Sequence, residues 1–265
     1  MTGQIRAGIG GWTFEPWRGV FYPPGMRQAD ELAFASRKVT AIEINGTYYS
    51  TQKPQTFAKW AAQTPEGFVF SVKGSRFCTN RRVLADSRES VARFLGQGLV
   101  ELGGRLGPIL WQFMATKKFD PDDFAAFLDL LPATLDGAPL RHCVEARHAS
   151  FADPTFLALC RERGVAICAS ESPDWPLIAD VTGGFVYARL MRGSDDIETG
   201  YGAADLDTWA NRLRAWAGGG APEDLPLVSS DRPPPRTERD VFAFFISAGK
   251  VRAPAAAAAL LERLG

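Results

Sequence analysis

Eight short β-type segments alternate with longer amphipathic segments along this chain, and that alternation restricts its fold more than any other feature. Parallel strands need a crossover connection, usually a helix, so the alternation is typical of a parallel sheet. Eight such units in 265 residues have the size of an α/β TIM-type (β/α)8 barrel. We therefore predict a single barrel domain over residues 1–265, with a doubly wound open sheet as the alternative.

The predicted strands are short, apolar and rich in β-branched and aromatic residues. They cover residues 5–11, 41–45, 68–74, 108–113, 142–147, 165–170, 185–191 and 241–247. The predicted helices cover residues 28–38, 54–63, 88–104, 121–132, 153–164 and 206–219, and one more follows the last strand. The Pro- and Gly-rich stretch 218–240 is predicted to be a loose connection before the last strand, since only one strand and one helix follow it.

Composition narrows the classes of function. The 30 basic residues balance the 30 acidic residues, so no overall field favours nucleic acid or an anionic membrane surface. The four cysteines have neither metal-finger nor redox-pair spacing, which is typical of reduced cytosolic thiols. The chain shows no signal-peptide pattern and no run of about 18 apolar residues. We expect a cytoplasmic protein that spans no membrane, with nucleic acid as an open but not favoured partner.

Polar residues occupy one face of strands that are otherwise apolar. In "AIEIN" Glu43 and Asn45 alternate with isoleucine, and in "HCVEAR" Glu145 and Arg147 alternate with valine and alanine. Side chains two apart on a strand share a face. In a barrel this face points inward near the carboxyl ends of the strands, where TIM-barrel enzymes build their active sites. Parity predicts a mouth lined by Glu43, Asn45, Ser71, Lys73, Gln112, Glu145, Arg147, Ser170, Tyr187 and Arg189.

Three cations and two carboxylates would meet at that mouth. A buried charge must pair with another charge or with a ligand, because leaving it unpaired costs several kcal/mol. One interpretation is a closed salt-bridge network that does no chemistry. The other is an anion site, since one positive charge is left for the phosphate or carboxylate of a ligand. The charged residues are Lys73, Arg147 and Arg189 with Glu43 and Glu145.

Metal, cofactor and glycosidase sites fit poorly. The chain has two histidines, and His142 faces away from Glu145, so a His-based metal site is not expected. Glycine-rich phosphate motifs are absent, and Gly8, Gly10 and Gly11 are expected to permit close packing and a tight loop. Glu43 and Glu145 form a candidate glycosidase pair, but nearby cations stabilise carboxylates and so weaken a general acid. We expect no metal and no cofactor.

Two loops carry further candidate residues. The aromatic residues after the first strand form either a stacking platform for a base or sugar or, as we favour, the packed interior of a long loop. They are Trp12, Phe14, Trp17, Phe21 and Tyr22, with Trp12 as the candidate for substrate binding. The arginines after the third strand either hold a phosphate or form a solvated face. They are Arg76, Arg81, Arg82 and Arg88.

Six motifs in their order resemble the YecE-like family, number 72 among the domains of unknown function. They read "GGWTFEPWRGVFYP", "AIEINGTYYS", "FVFSVKGS", "LGPILWQF", "VEARHASF" and "YARLMRG". The resemblance extends from about residue 5 to the C-terminal helix and implies a TIM barrel without an assigned activity. The family's polar strand-end residues correspond to Glu43, Asn45, Tyr49, Lys73, Gln112, Glu145, Arg147 and Arg189. Tyr49 is thereby added to the residues that parity selects.

Three places depart from the family pattern. Thr79 and Asn80 stand where many members have Thr-His, and Met191-Arg192 interrupts the usual Arg-Leu-His-Gly. At the end of the eighth strand "FFISAGKVRAP" replaces a common Asn-Asn pair. One side of the mouth is therefore expected to be less polar, and this chain is expected to prefer a different ligand from its relatives.

We expect a metal-independent enzyme that acts on a small anionic metabolite, phosphorylated or carboxylated, by general acid/base chemistry at the mouth. The candidate catalytic residues are Glu43, Glu145 and Lys73. The candidate substrate-binding residues are Asn45, Tyr49, Gln112, Arg147, Arg189 and Trp12. Two alternatives stay open, namely a Schiff-base lyase or aldolase that uses Lys73, and a non-catalytic module that binds a ligand or nucleic acid.

Overall fold

The computed structural model of the protein describes residues 3–229 and 236–265, and eight parallel strands in this part of the chain close into a barrel. Each strand pairs with its neighbours in sequence, and the last strand pairs with the first. The predicted TIM-type barrel is confirmed, and the open-sheet alternative is wrong. The strands are β1 Ile5–Gly10, β2 Ala41–Ile44, β3 Val69–Lys73, β4 Leu106–Gln112, β5 His142–Glu145, β6 Ala166–Glu171, β7 Phe185–Arg192 and β8 Asp240–Ala248.

The α-helices lie between and after the strands. They are α1 Glu31–Ala35, α2 Gly46–Tyr49, α3 Pro54–Gln63, α4 Arg76–Thr79, α5 Arg88–Leu95, α6 Pro121–Leu128, α7 Pro154–Glu162, α8 Ala203–Ala217 and α9 Ala253–Leu264. Helices α6 and α7 begin at prolines whose preceding aspartates accept hydrogen bonds from backbone amides of the first turn. The connection between β6 and β7, residues 172–184, contains no helix. None of the helices in the described residues has the length and apolar character needed to cross a membrane.

Three predicted helices are shorter in the structure than their patterns: 28–38 is α-helical only over Glu31–Ala35, 121–132 ends at Leu128, and the helix over 88–104 differs most. The pattern over 88–104 predicts a single helix, but α5 ends at Leu95. Gly96 caps it, and Gly98 has a left-handed φ of 100°, a conformation that interrupts an α-helix. Residues Leu99–Arg105 then continue as 3-10 turns. The apolar periodicity carries across the break because both pieces bury apolar side chains, Val91, Phe94 and Leu95 in α5 and Leu99 and Leu102 after it.

The barrel interior is packed below the mouth. Gly8 has no room for a side chain, because an added Cβ would lie 1.7 Å from the carbonyl oxygen of Ala41. Gly11 has a φ of 76° in the turn that follows β1. Both observations confirm the expected roles of the glycines in close packing and in a tight loop. The buried interior residues are Ala41, Val69, Leu110, Cys143, Ala166, Cys168, Phe185, Tyr187, Phe242 and Phe244.

His142 lies on the outer face of β5, as parity predicts. Its Nδ1 accepts a hydrogen bond from Trp111 Nε1 at 3.1 Å, and its Nε2 lies 2.8 Å from the carbonyl oxygen of Pro132. Burial lowers the pKa of His142, since the charged imidazolium is poorly solvated there. This histidine is therefore a neutral packing residue that joins β5 to β4.

The predicted loose connection 218–240 includes residues 230–235, which lie outside the described residues. On one side of that gap, Asp180 accepts hydrogen bonds from the amides of Val228 and Ser229 at 2.8 and 3.3 Å. On the other side, the buried Arg239 guanidinium donates to two backbone carbonyls that follow α8. One described part of this connection is therefore hydrogen-bonded to the loop that follows β6, and the other to the residues that follow α8.

Candidate functional site

Arg189 lies at the centre of a buried charged network at the carboxyl ends of the strands. Its side chain is 2% exposed, and its Nη1 donates to Glu145 Oε2 at 2.7 Å while its Nη2 donates to Glu43 Oε1 at 3.0 Å. Burial alone would lower the pKa of Arg189, but Glu145 and Glu43 outweigh it and raise that pKa above its ordinary value. The ion pairs of the charged Arg189 therefore join β7 to β2 and to β5.

The second oxygen of Glu43 is also occupied. Tyr187 donates its hydroxyl hydrogen to Glu43 Oε2 at 2.7 Å, and the same hydroxyl lies 2.8 Å from Ser71 Oγ. Burial, with the Glu43 charge as the next cause, raises the pKa of Tyr187 well above its ordinary value, so this phenol remains protonated. Glu43 has no exposed surface and accepts from groups of the barrel on both oxygens.

Glu145 accepts hydrogen bonds from three side chains. Gln112 Nε2 donates to Oε2 at 2.7 Å, beside the bond from Arg189, and Arg147 donates to Oε1 through Nε and Nη2, both at 3.0 Å. Burial alone would raise the pKa of Glu145, but Arg189, Arg147 and Gln112 outweigh it and hold that pKa below its ordinary value. A carboxylate held in this way positions its neighbours and is poorly suited to donate a proton.

The Lys73 ammonium has no ion-pair or hydrogen-bond partner among the described residues. Lys73 is 7% exposed, and its Nζ lies 4.4 Å from the centroid of the Tyr48 ring. Asn80 Nδ2 donates to the Tyr48 hydroxyl at 3.2 Å and so fixes that ring. Burial, with the charge of Arg189 as the next cause, lowers the pKa of Lys73 to about 8. This amine can therefore take up or release a proton near neutral pH.

A cavity of about 380 Å³, which we call the cationic cavity, opens above this network. Every charged side chain on its wall is a cation, whereas Glu43 and Glu145 lie fully buried and outside the lining. Such a wall is complementary to an anionic ligand. The lining residues are Gly10, Trp17, Asn45, Tyr49, Lys73, Gln112, Arg147, Arg189, Phe245, Ile246, Ser247 and Lys250.

Arg147 is held between a carboxylate and an indole ring. Its guanidinium carbon lies 4.2 Å from the centroid of the Trp175 ring, which belongs to the helix-free connection between β6 and β7. The Arg147 side chain is 20% exposed and that of Arg189 is 2% exposed. Solvent and ligands therefore reach Arg147 more easily than Arg189. Cation–π contact on one side and the ion pair with Glu145 restrict its orientation.

The end of β8 is irregular at the cavity. The register with β7 shifts between Phe245 and Ala248, and Ser247 has a φ of 71°, which is unusual for a residue other than glycine. The following turn brings Lys250 to the cavity, and its carbonyl oxygen accepts a hydrogen bond from Trp17 Nε1 at 2.7 Å. Phe245 and Ile246 make this side of the cavity wall largely apolar. Ser247 and Lys250 are the polar residues that β8 and the turn after it add to the lining.

Most predicted site residues come together at this mouth, and Trp12 does not reach the cationic cavity. Asn45 lies just after β2 and donates from its Nδ2 to the Glu43 carbonyl at 3.3 Å, and Tyr49 stands at the rim with 63% of its surface exposed. Trp12 packs instead against Trp60, with ring centroids 5.1 Å apart. Ser170 lies below the mouth, where its hydroxyl contacts the thiol of a neighbouring interior cysteine.

The aromatic loop after β1 borders the mouth through Trp17, whereas the arginines after β3 do not line the cationic cavity. Trp17 and Tyr22 are buried and pack edge to face with neighbouring rings, which supports the packed-loop interpretation. Arg81 is held by the Phe77 carbonyl and the Ser90 hydroxyl, at 2.7 and 2.8 Å. Within residues 3–229 and 236–265, no three His, Cys, Asp or Glu side chains group as a metal site requires.

Four residues of the site were missed by reasoning from the sequence, namely Tyr48, Trp175, Ser247 and Lys250. The position of Lys250 contained a usable signal, because every loop that follows a barrel strand reaches the mouth. Tyr48 is adjacent to the predicted Tyr49 but faces Lys73. Trp175, in the loop after β6, had the same general signal, but nothing in the sequence indicated that its ring would contact Arg147. Ser247 had no signal, because a bulge cannot be recognised from an apolar pattern.

Known proteins share this architecture. Residues 6–265 match the family described as "Protein of unknown function DUF72". "UPF0759 protein YecE" of Escherichia coli strain K12 is 29% identical over 151 residues, which are 56% of this chain and 50% of that protein. The chain therefore spans about half the length of the curated relatives it matches.

Two solved structures of DUF72 family proteins superpose over nearly the whole chain. The protein from Thermotoga maritima gives a TM-score of 0.70 at 22% identity and covers 97% of each chain. The protein from Enterococcus faecalis gives a TM-score of 0.71 at 16% identity and covers 98% of this chain and 97% of its own. At these identities the likeness shows the fold.

Proposed function

The chain belongs to the DUF72 family of proteins of unknown function, as its motifs predicted, and we propose that the barrel mouth of this member binds a small anionic metabolite and moves a proton on it. The observation that carries the proposal is the cationic cavity. Its wall presents four positive side chains, and the two carboxylates that partly balance them lie behind it. A phosphate or carboxylate group of a ligand would neutralise the remaining charge.

The proton transfer is assigned to Lys73. Its pKa of about 8 matches the pH at which a cellular acid/base catalyst works, and its ammonium contacts the Tyr48 ring but has no ion-pair or hydrogen-bond partner among the described residues. Arg147 and Arg189 bind the anion, with Asn45, Tyr49 and Gln112 as further polar contacts. Glu43 and Glu145 become positioning residues that hold the arginines, because their oxygens are already occupied.

Removal of Arg147 tests the anion site. Phosphate at about 100 times its Kd should stabilise the wild type by about 2.7 kcal/mol, which for a domain of this size raises the Tm by roughly 5–10 °C. In Arg147→Met that gain should largely disappear. The unliganded stability should change by less than about 1 kcal/mol, since Glu145 keeps its bonds to Arg189 and Gln112. The measurement is a set of thermal melts at constant ionic strength, with and without phosphate.

Arg163→Met is the matched control for Arg147→Met. Arg163 is 23% exposed, close to the exposure of Arg147, and it also forms ion pairs, with Asp129 and Glu162. It lies at the end of α7, away from the mouth. This variant should keep the whole response to phosphate. The anion site is contradicted if phosphate does not raise the Tm of the wild type. It is also contradicted if phosphate raises the Tm of Arg147→Met and of Arg163→Met equally.

A second candidate function follows from the free ammonium of Lys73. A neutral amine can attack the carbonyl carbon of a ligand, and loss of water then leaves an imine between Nζ and that carbon. Reduction with borohydride should convert the imine to a stable secondary amine. With a pool of small aldehydes, ketones and 2-oxo acids, peptide mass spectrometry should show added mass on Lys73 and not on the exposed Lys59. No adduct on Lys73 with any member would restrict this lysine to proton transfer and anion binding.

A further inference from the structure

A second cavity opens beside the cationic cavity and shares part of its wall. It has a volume of about 450 Å³, and we call it the aromatic cavity because the rings of Trp12, Phe14 and Trp60 line it. Gly10, Asn45 and Lys250 line both cavities. The two spaces are therefore neighbouring compartments of one mouth, one cationic and one aromatic. We infer that the ligand of this site carries a planar ring joined to its anionic group, an inference that rests on the proposed function.

Two glycines lie on the wall of the aromatic cavity. At Gly10, which lines both cavities, an added Cβ would lie 2.6 Å from Ile246 Cδ1 and 3.2 Å from Asn45 Nδ2, so glycine is needed there for these side chains to pack closely. Gly46, at the start of α2, has open space where a Cβ would stand, and its φ is not left-handed. Glycine is a poor helix former, and neither packing nor backbone conformation requires it at this position. Its presence leaves room at the wall of the aromatic cavity.

The chemistry of the shared wall suits a ligand that spans both compartments. The Nζ of Lys250 lies 4.2 Å from the centroid of the Phe14 ring, and its carbonyl is held by Trp17. Lys250 thus contributes a positive charge, seated against an aromatic ring, to the wall that the two cavities share. Aromatic side chains contact planar rings through dispersion and quadrupole interactions, and Asn45 and Gln52 offer donors and acceptors to ring edges. A nucleoside monophosphate or an aryl phosphate or carboxylate has both features.

The inference predicts a gain in affinity from the ring alone. Calorimetric titration of the wild type compares phenyl phosphate with methyl phosphate, and the four common nucleoside 5′-monophosphates with ribose 5-phosphate. At least one probe with a planar ring should bind ten times more tightly than its partner that lacks the planar ring. Gly46→Leu and Trp12→Leu should each reduce that ratio below three, while the Kd for inorganic phosphate changes less than twofold.

Gly104→Leu is the matched control for the glycine substitution. Gly104 also has open space at its Cβ and a φ outside the left-handed region, and it precedes β4 at the opposite end of the barrel. The ring advantage should persist in this variant. Absence of the advantage in every pair, or its persistence in both mouth variants, overturns the inference. If phosphate binds normally but a planar ring adds no affinity, the inference about the ring is wrong and the proposed function stands. If phosphate binding does not depend on Arg147, both the proposed function and the inference are wrong.

Discussion

Replacement of Arg189 by methionine is expected to lower the free energy of unfolding by about 3–5 kcal/mol, the usual cost of breaking a buried ion pair by removing one partner. Glu43 and Glu145 would both lose their shared cation while remaining buried. For a domain of this size, each kcal/mol corresponds to roughly 2–4 °C, so the Tm should fall by about 6–20 °C. Thermal and urea unfolding followed by circular dichroism measure the loss.

Two further variants identify the cause of that loss. If the stranded carboxylates are responsible, Glu43→Gln and Glu145→Gln added to Arg189→Met should recover part of the stability, because neutral amides are less costly to bury than unpaired carboxylates. The exposed pair of Arg163 with Asp129 provides the comparison, and Arg163→Met should cost less than about 1 kcal/mol. A Tm for Arg189→Met within 2 °C of the wild type contradicts a buried network that depends on this arginine.

The contrast between Arg189 and Arg147 shows what strand parity can and cannot predict. Parity placed both arginines at the mouth, and both line the cationic cavity, Arg189 from within β7 and Arg147 from two residues beyond the end of β5. Parity says nothing about depth. Arg189 bridges two carboxylates at 2% exposure, while Arg147 binds one and is 20% exposed. Both arginines line the cationic cavity, and we propose that Arg189 also holds the network together whereas Arg147 makes the larger contribution to ligand binding.

The barrel itself could be predicted because its signals are local and repeated. Eight apolar segments, each followed by a polar turn and most by a helical pattern, leave few alternatives once the chain length is known. Local signals fail where the backbone is irregular. The register shift before Ala248 and the left-handed Ser247 bring Lys250 to the cavity, and no alternation of residue types indicates a bulge.

The roles of the glutamates could not be predicted from residue type. A carboxylate near the mouth of a barrel suggests acid/base chemistry, but its role depends on how many donors already occupy its oxygens. Glu145 accepts from Arg147, Arg189 and Gln112, and that number follows only from the three-dimensional positions of three strands and a loop. The positions of the aromatic side chains after β1 could not be predicted either. Trp17 lines one cavity and Trp12 the other, and this loop has no regular residue spacing from which that difference could be read.

Replacement of Lys73 by methionine is expected to stabilise the unliganded protein by about 3 kcal/mol at pH 7. The pKa of this lysine falls from its ordinary value of 10.5 to about 8 in the folded protein, and each pH unit of difference corresponds to about 1.4 kcal/mol. The unfolded chain therefore holds the proton more tightly than the native state. Below pH 8 both states are protonated and the wild type bears the whole penalty. Methionine fills a similar volume without a charge to bury.

The pH dependence separates this electrostatic cause from a packing effect. As pH rises from 8 to 10.5, the folded wild type loses the proton that the unfolded chain keeps, so its stability should increase relative to Lys73→Met. Above 10.5 the advantage of the variant should vanish. Urea unfolding at a series of pH values measures this difference, with Lys59→Met, which removes an exposed lysine, as the matched control. An advantage that stays constant between pH 7 and 10.5 contradicts a charge penalty at Lys73.

Bound phosphate should reduce the free-energy cost of keeping the charged Lys73 ammonium buried. An anion bound in the cationic cavity stabilises the charged form of Lys73, so at pH 7 phosphate should raise the stability of the wild type more than that of Lys73→Met. The gap between the two proteins should therefore narrow as phosphate is added. A narrowing gap would mean that the bound anion offsets the cost of burying the charged Lys73 ammonium. This is expected where a binding site lowers the stability of the unliganded protein. A gap that does not change with phosphate would leave Lys73 outside the anion site and remove it from the proposed proton transfer.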